Sequence, residues 1–68
     1  MIQVLLNGST IQTQVGTTLL AFLRTHFGTN LNGVAVALNG SLARRSGWAE
    51  TTLQKNDELE VLHAVAGG

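Results

Sequence analysis

The last four residues of the chain, Val65, Ala66, Gly67 and Gly68, present the residue types most suited to chemistry. Two final glycines offer a bare carboxylate on a slim stalk, because glycine lacks a Cβ and adopts most backbone conformations. Four extended residues reach roughly 13 Å at about 3.3 Å each. The carboxyl group of Gly68 could therefore enter another protein's pocket through a channel that admits only main chain. The common alternative is a frayed end without a role.

No acid–base pair accompanies this end of the chain. Glu58 and Glu60 stand two positions apart in a strand pattern, which is typical of solvated charges rather than of a catalytic dyad. We expect His26 to lie partly covered in the last turn of a helix, and His63 to lie in the core-facing row of the last strand. A direct role for His63 stays open. We expect no catalytic residue, so this protein is not itself an enzyme.

Composition excludes several classes of function. The chain has no cysteine, so it cannot be a thiol nucleophile, a persulfide carrier or a disulfide exchanger. Two histidines without thiols argue against structural zinc, and we expect no metal site. Four basic and four acidic side chains cancel, and the Arg44-Arg45 pair is too small a basic cluster for a nucleic-acid binder.

The hydropathy pattern argues against a membrane protein. The longest apolar run, Val34 to Leu38, is far below the roughly 20 residues that span a bilayer. The N-terminal stretch lacks a basic region and is interrupted by polar residues, unlike a secretory signal. We therefore expect a cytoplasmic protein that binds neither nucleic acid nor membrane.

The first half of the chain predicts a hairpin followed by a helix. Residues 1–6 and 9–15 alternate in hydropathy around Asn7-Gly8, the strongest short hairpin signal. From Leu19 to Phe27 the apolar residues recur with helical spacing. Thr17 or Thr18 is suited to cap the start of this helix, and Gly28 is suited to end it.

The second half predicts further strands. The apolar run Val34 to Leu38 predicts a central strand that is buried on both faces or nearly so. Residues 41–43 predict a short segment that pairs with it. Residues 44–53 show neither the hydropathy period of a strand nor that of a helix. They predict an irregular connecting segment with a short turn at Trp48-Ala49. A turn at Asn56-Asp57 precedes the last strand, residues 58–65.

This order predicts an α+β fold with one helix packed on one face of a mixed sheet of four to five strands. If the first and last strands lie side by side in the centre, they run parallel and the chain leaves from the middle of the sheet. That arrangement is the β-grasp, or ubiquitin-like, roll. We expect residues 1–64 to form this single domain and residues 65–68 to form a flexible Gly-Gly tail.

Three further assignments concern side chains outside the tail. Leu5 and Leu62 fall on the strand faces opposite the helix-covered one, which predicts a partner-docking patch on the open face of the sheet. Trp48 is expected to close one end of the core. Arg44 and Arg45 are expected to be a solvated pair on a loop.

The ordered set of these motifs resembles the ThiS family, the sulfur carriers of thiamine biosynthesis, over essentially the whole chain. The segments that carry the resemblance are Met1 to Gly8, Gly16 to Leu19, Val34 to Gly40, Arg45 with Trp48, Asn56-Asp57 and Val65 to Gly68.

The resemblance implies a specific chemistry for the tail. An E1-like adenylyltransferase, ThiF, would activate the Gly68 carboxylate with ATP. Sulfur relayed from cysteine through a desulfurase would convert that group to a thiocarboxylate, which the thiazole synthase ThiG would consume. Val65, Ala66 and Gly67 would thread the partner's active site. ATP would be used by the partner, and no cofactor would be bound by this chain.

Three other functions stay open at this stage. Carriers of molybdopterin synthesis share the fold and the Gly-Gly end, but they are usually longer and form a lasting complex with a large catalytic subunit. A ubiquitin-like modifier would use the same activated carboxylate with a lysine amine as acceptor. A plain binding module would have an inert tail.

Overall fold

The structure, a computed structural model, describes residues 1–63 of the chain. Five strands, one α-helix and one 3₁₀ helix make up this part. In chain order they are β1 (Ile2–Leu6), β2 (Ser9–Thr13), α1 (Leu19–Phe27), β3 (Val34–Leu38), β4 (Ser41–Ala43), the 3₁₀ helix (Arg45–Glu50) and β5 (Glu58–His63).

The strands form one mixed sheet in the order β2-β1-β5-β3-β4. β5 is the central strand, and it runs parallel to β1, with Leu5 opposite Glu58 and Leu6 opposite Leu59. The other three pairings are antiparallel. The predicted β-grasp arrangement, with the first and last strands side by side in the centre, is confirmed.

Local signals determine the hairpin and the helix as the sequence predicts. Asn7 and Gly8 both have positive φ, 50° and 86°, which suits the tight turn between β1 and β2. The Thr18 side chain accepts a hydrogen bond from the Ala21 N–H at 3.1 Å and caps the start of α1. Gly28, with φ 86°, ends the helix by donating its N–H to the Arg24 carbonyl at 3.0 Å.

The core lies between α1 and the inner face of the sheet. Its side chains come from the helix, from the inward-facing positions of β1, β3 and β5, and from the connecting segments. The members are Val4, Leu19, Phe22, Leu23, Leu31, Val34, Val36, Trp48, Leu53, Leu59 and Val61. With no cysteine in the chain, burial of these apolar side chains has to stabilise the domain. Each Å² of apolar surface removed from water contributes about 25 cal/mol.

β3 is an interior strand of the sheet, paired with β5 and β4, but the prediction that it is buried on both faces or nearly so is wrong. β3 lies next to the edge strand β4, and Ala35 on its outer face is exposed while Val34 and Val36 are buried. The reason is that α1 covers one face of the sheet, so outward side chains meet solvent even where they are apolar. The run of small apolar residues therefore marks an open surface, not a second core.

The segment predicted to be irregular contains the 3₁₀ helix, which closes one end of the core. Trp48 is 2% exposed, as expected of a core-closing residue, and its indole N–H donates to the Ala43 carbonyl at 2.9 Å. This bond satisfies the polar atom that burial of an indole would otherwise leave unpaired. Within residues 1–63, no helix has the length and apolar character needed to cross a bilayer.

Candidate functional site

The chain continues from the central strand β5 into residues 64–68, so the site is built around the end of β5. The predicted reactive carboxylate of Gly68, the threading residues Val65, Ala66 and Gly67, and the predicted flexibility of this tail lie outside the described residues. The last described residue, His63, stands opposite Val34 of the neighbouring strand. What the structure describes is therefore the strand that precedes these residues in the sequence.

β5 is fastened to the first turn of the chain by the side chain of Asn7. The Asn7 amide donates from Nδ2 to the Val61 carbonyl at 3.2 Å, and its Oδ1 accepts the Val61 N–H at 2.8 Å. The side chain thus acts like one more peptide group of a β-ladder. It extends the contact between β1 and β5 beyond Leu6, where the backbone of β1 turns away into the hairpin.

The beginning of β5 is fastened by Asn39, in the turn between β3 and β4. Its Oδ1 accepts the Glu58 N–H at 2.8 Å, and its own N–H donates to the Glu58 carbonyl at 2.8 Å. Its Nδ2 donates to Oδ1 of the buried Asp57 at 3.0 Å. The second carboxylate oxygen of Asp57 accepts the Gln54 N–H at 2.7 Å and fixes the turn before β5.

Sequence reasoning read Asn7-Gly8 and Asn39-Gly40 as turn signals and missed these side-chain bonds. The available signal was that asparagine, unlike glycine, carries an amide that can imitate a peptide group. The two residues hold the beginning and the middle of β5, so side chains from two turns help to fix the position of this strand.

The two histidines differ from expectation in their surroundings. His63 was expected in the core-facing row of β5, but it is exposed. Val61 is the last buried residue of that row, and the contact between β1 and β5 ends at Asn7. His26 is exposed at the end of α1, with its ring tilted against Phe22 at a centroid distance of 4.3 Å. Neither histidine is paired with an acid in residues 1–63 to form a catalytic arrangement.

The predicted docking residues Leu5 and Leu62 lie on the same open face of the sheet but in different neighbourhoods. Leu62 is 73% exposed, whereas Leu5 is half-buried beside Glu58. Position 62 is four residues further along β5 than position 58, so the two leucines are about 13 Å apart along the strand at ~3.3 Å per residue. The structure therefore does not bring them into one apolar cluster.

Leu62 instead belongs to an apolar surface formed with β3 and β4. Ala35 is its cross-strand partner, and Leu42, 70% exposed, stands opposite Ala37. These four residues border a hollow of about 200 Å³, and we call them the open-face patch: Ala35, Ala37, Leu42 and Leu62. Sequence reasoning missed Leu42, since a three-residue strand gives too short a pattern to assign its faces.

Two carboxylates precede Leu62 of this patch on strand β5. Glu58 and Glu60 are exposed on the open face, because Leu59 and Val61 between and beyond them point into the core. Glu60 borders both the hollow beside Leu62 and the depression beside Leu5. Along β5 the open face is thus acidic first and apolar nearer the tail.

Arg45 is exposed, as the sequence predicts for the Arg44-Arg45 pair, but its side chain also makes contacts within the fold. Its guanidinium donates to the Leu31 carbonyl, lies 3.4 Å from Oδ1 of Asn32, and stacks over the Trp48 ring at 5.3 Å from its centroid. It therefore fastens the loop between α1 and β3 to the 3₁₀ helix. No group of three His, Asp or Glu side chains within residues 1–63 is arranged to hold a metal ion.

The fold defines the class of protein: a β-grasp roll in which the last strand, β5, lies at the centre of the sheet beside β1. The comparison with protein families gives the more particular answer. The model of the ThiS family matches residues 4–68, and the chain belongs to that family. None of the curated proteins compared with the chain matches it.

Two solved structures of a thiamine biosynthesis protein from Geobacter metallireducens are similar to this chain. The crystal structure, described as ThiS, has a TM-score of 0.82 at 23% identity and covers 98% of this chain and 100% of that one. The solution NMR structure has a TM-score of 0.78 at 26% identity and covers 98% of this chain and 88% of that one. The likeness confirms the β-grasp fold.

Proposed function

We propose that this chain is a sulfur carrier whose Gly68 carboxylate is adenylated, converted to a thiocarboxylate and used as the sulfur source for a thiazole ring in thiamine biosynthesis. The observation that carries the proposal is the ThiS family match, which runs to residue 68. The described structure supports it with a firmly held central strand that leads toward that residue. Membership of the family supports the carrier role; the steps at Gly68 are our proposal.

The chemistry requires activation of a poor electrophile. A carboxylate resists attack, and transfer of AMP from ATP turns it into a mixed anhydride with release of pyrophosphate. Hydrosulfide then attacks the carbonyl carbon of Gly68 and loses its proton to solvent, the bond between this carbon and the phosphate oxygen breaks, and AMP leaves with the electron pair. The product is a thiocarboxylate, in which sulfur replaces one oxygen.

The residue types in the tail suit this role. Gly67 and Gly68 have no Cβ, and Ala66 carries only a methyl group, so a narrow channel of the adenylating enzyme would admit them. The chain has no thiol, so the sulfur nucleophile must come from a partner in a cysteine-derived relay. ATP would bind to the partner adenylyltransferase, and this protein would serve as a co-substrate.

A protein whose tail is the substrate also needs a contact between its folded domain and the enzyme. We assign this contact to the open face of the sheet. In the open-face patch, the exposed side chains of Leu42 and Leu62 lie on either side of two alanines. The small side chains of these alanines leave the hollow between the leucines open. Leu5 lies on the same face beyond Glu60 and would form the outer part of the contact. An E1-like adenylyltransferase and a thiazole synthase are the partners that this surface would meet.

The charge on the open face specifies the complementary surface. Glu58 and Glu60 precede Leu62 on the outer side of β5, so a matching partner would place basic side chains against the acidic part and apolar ones against the patch. Complementary charges at the edge of an interface mainly accelerate association and fix orientation. Higher salt should therefore slow association with the partner.

The direct test is to incubate the protein with its adenylyltransferase, ATP and a sulfide source and to record the intact mass. We expect the mass to rise by the difference between a sulfur and an oxygen atom. A ubiquitin-like modifier would instead appear as an amide-linked product with the summed mass of two proteins. An unchanged mass, where a known carrier reacts under the same conditions, would contradict the proposal.

A further inference from the structure

Three Asn-Gly pairs occur in this chain, at Asn7-Gly8, Asn32-Gly33 and Asn39-Gly40. Asparagine followed by glycine is the pair most open to spontaneous deamidation, because the unhindered glycine nitrogen can attack the side-chain carbonyl carbon. The same dipeptide therefore appears in three structural settings within one molecule. The surroundings alone decide which of the three can react.

Two of the three asparagines use their side-chain amides to hold β5 or the turn that precedes it. Asn7 has a φ of 50° and pairs through its amide with both backbone groups of Val61. Asn39 has a φ of 51° and bonds through its amide to Glu58 and Asp57. Ring closure requires the amide to leave these partners and the backbone to rotate, which would open the central strand at each place.

Asn32 is held far less firmly. It is exposed, and the described contact of its side-chain amide is the acceptance of one long hydrogen bond, 3.4 Å, from Arg45. The turn around it is closed by a 3.2 Å bond from the Val34 N–H to the Leu31 carbonyl. Opening this turn breaks that bond and the 3.1 Å bond from the Asn32 N–H to Oδ1 of Asn30, neither of which pairs one strand of the sheet with another.

We propose that Asn32-Gly33 is a built-in deamidation site and that the amide bonds of Asn7 and Asn39 protect the other two pairs. In the reaction the Gly33 nitrogen bonds to the Asn32 side-chain carbon and ammonia leaves, giving a cyclic imide. Water then opens the ring to aspartate or isoaspartate. No oxidant or reductant is needed, since one amide nitrogen is exchanged for one oxygen from water.

The product would place a carboxylate beside the guanidinium of Arg45, which already points at the Asn32 oxygen. A charged pair there would replace the long neutral contact and would stabilise the modified loop. The formal net charge of the chain, zero at pH 7, would become negative by one unit. The modified protein is therefore separable from the original by ion exchange.

The test is to keep the folded, full-length protein in mildly alkaline buffer and to follow each asparagine by peptide mapping. Trypsin cleaves after Arg24 and Arg44, so Asn32 and Asn39 fall in one peptide, and fragment ions compare them directly. We expect Asn32 to gain the mass difference between a hydroxyl and an amino group at least about tenfold faster than Asn39 or Asn7. In strong denaturant the three rates should converge.

An Asn32→Gln variant is the matched control, since glutamine keeps an amide near Arg45 but closes a ring much more slowly. It should remain unmodified in the folded state. Deamidation of Asn7 or Asn39 at the rate of Asn32 in the folded protein, or an unmodified Asn32 after the denatured chain has reacted at all three positions, would overturn the proposal.

Discussion

The side chain of Asn7 pairs with both the N–H and the carbonyl of Val61, 54 positions away, and so joins the first turn of the chain to its last strand. This contact continues the β1 and β5 ladder where the backbone of β1 has already turned away. It also lies two residues before the last described position, His63. Asn7 thus braces the middle of the strand that precedes residues 64–68, as Asn39 braces its beginning.

Replacement of Asn7 by glycine should lower the free energy of unfolding by about 1–2 kcal/mol, because two hydrogen bonds are lost while the positive φ is kept without strain. Asn7→Ala should cost about 1 kcal/mol more, since alanine resists this conformation. Both values can be measured by urea unfolding. Asn56, also at positive φ, provides an Asn→Gly control for the backbone effect alone. A loss at Asn7 no larger than at Asn56 would mean that the amide bonds contribute nothing.

Replacement of Asp57 by alanine should destabilise the domain by about 2–3 kcal/mol. The Gln54 N–H and the Asn39 amide would lose their acceptor at a site where Asp57 is 8% exposed. Asp57→Asn retains one carbonyl oxygen and should cost less. Thermal unfolding can rank the two variants, with the exposed Glu58→Ala as a control that leaves the midpoint nearly unchanged. Equal midpoints for Asp57→Ala and Glu58→Ala would refute the assigned role.

Arg45 and Arg44 form a matched pair for testing the loop contact. Arg45→Lys keeps the charge but loses the planar group that reaches Leu31 and stacks on Trp48, so we expect a loss of about 1 kcal/mol. In a domain of this size that is a drop of roughly 4–8 °C in Tm. Arg44→Lys should leave Tm unchanged. Similar shifts for both variants would mean that the contacts of Arg45 with Leu31 and Trp48 contribute nothing to stability.

Leu62→Asp should weaken binding to the adenylyltransferase by about tenfold or more, because it places a charge within the open-face patch. Leu62 is 73% exposed, so the loss of stability should stay within about 1 kcal/mol. Leu42→Asp should act in the same direction. Gln12→Asp, on the same face but on the far edge strand β2, is the control. Calorimetric titration would give the affinities, and an unchanged Kd for both leucine variants would remove the docking surface from the account.

The turns and helix ends that are determined by residues close together in the chain could be predicted from the sequence. Asn7-Gly8, Thr18 and Gly28 set the first turn and the two ends of α1, and the helix begins and ends where its hydropathy pattern predicts. The parallel pairing of β1 with β5 could also be inferred, since strand order with one crossover helix leaves few arrangements.

The features that sequence reasoning missed depend on distant partners. Whether Ala35 is buried depends on how many layers cover the sheet, which its own strand does not reveal. The bond between Asn7 and Val61 joins opposite ends of the chain, and the contact between Arg45 and Leu31 joins two loops. The open-face patch depends on Leu42, whose outward direction is set by its pairing with β3.

The central claim is that the reactive group is the carboxylate of Gly68, and tandem mass spectrometry of the sulfur-loaded chain tests it most directly. We predict that every fragment containing Gly68 carries the sulfur-for-oxygen mass increment, that no other fragment does, and that a chain lacking Gly68 acquires none. Sulfur located on any other residue, or loading of the shortened chain at the same rate, would contradict the account.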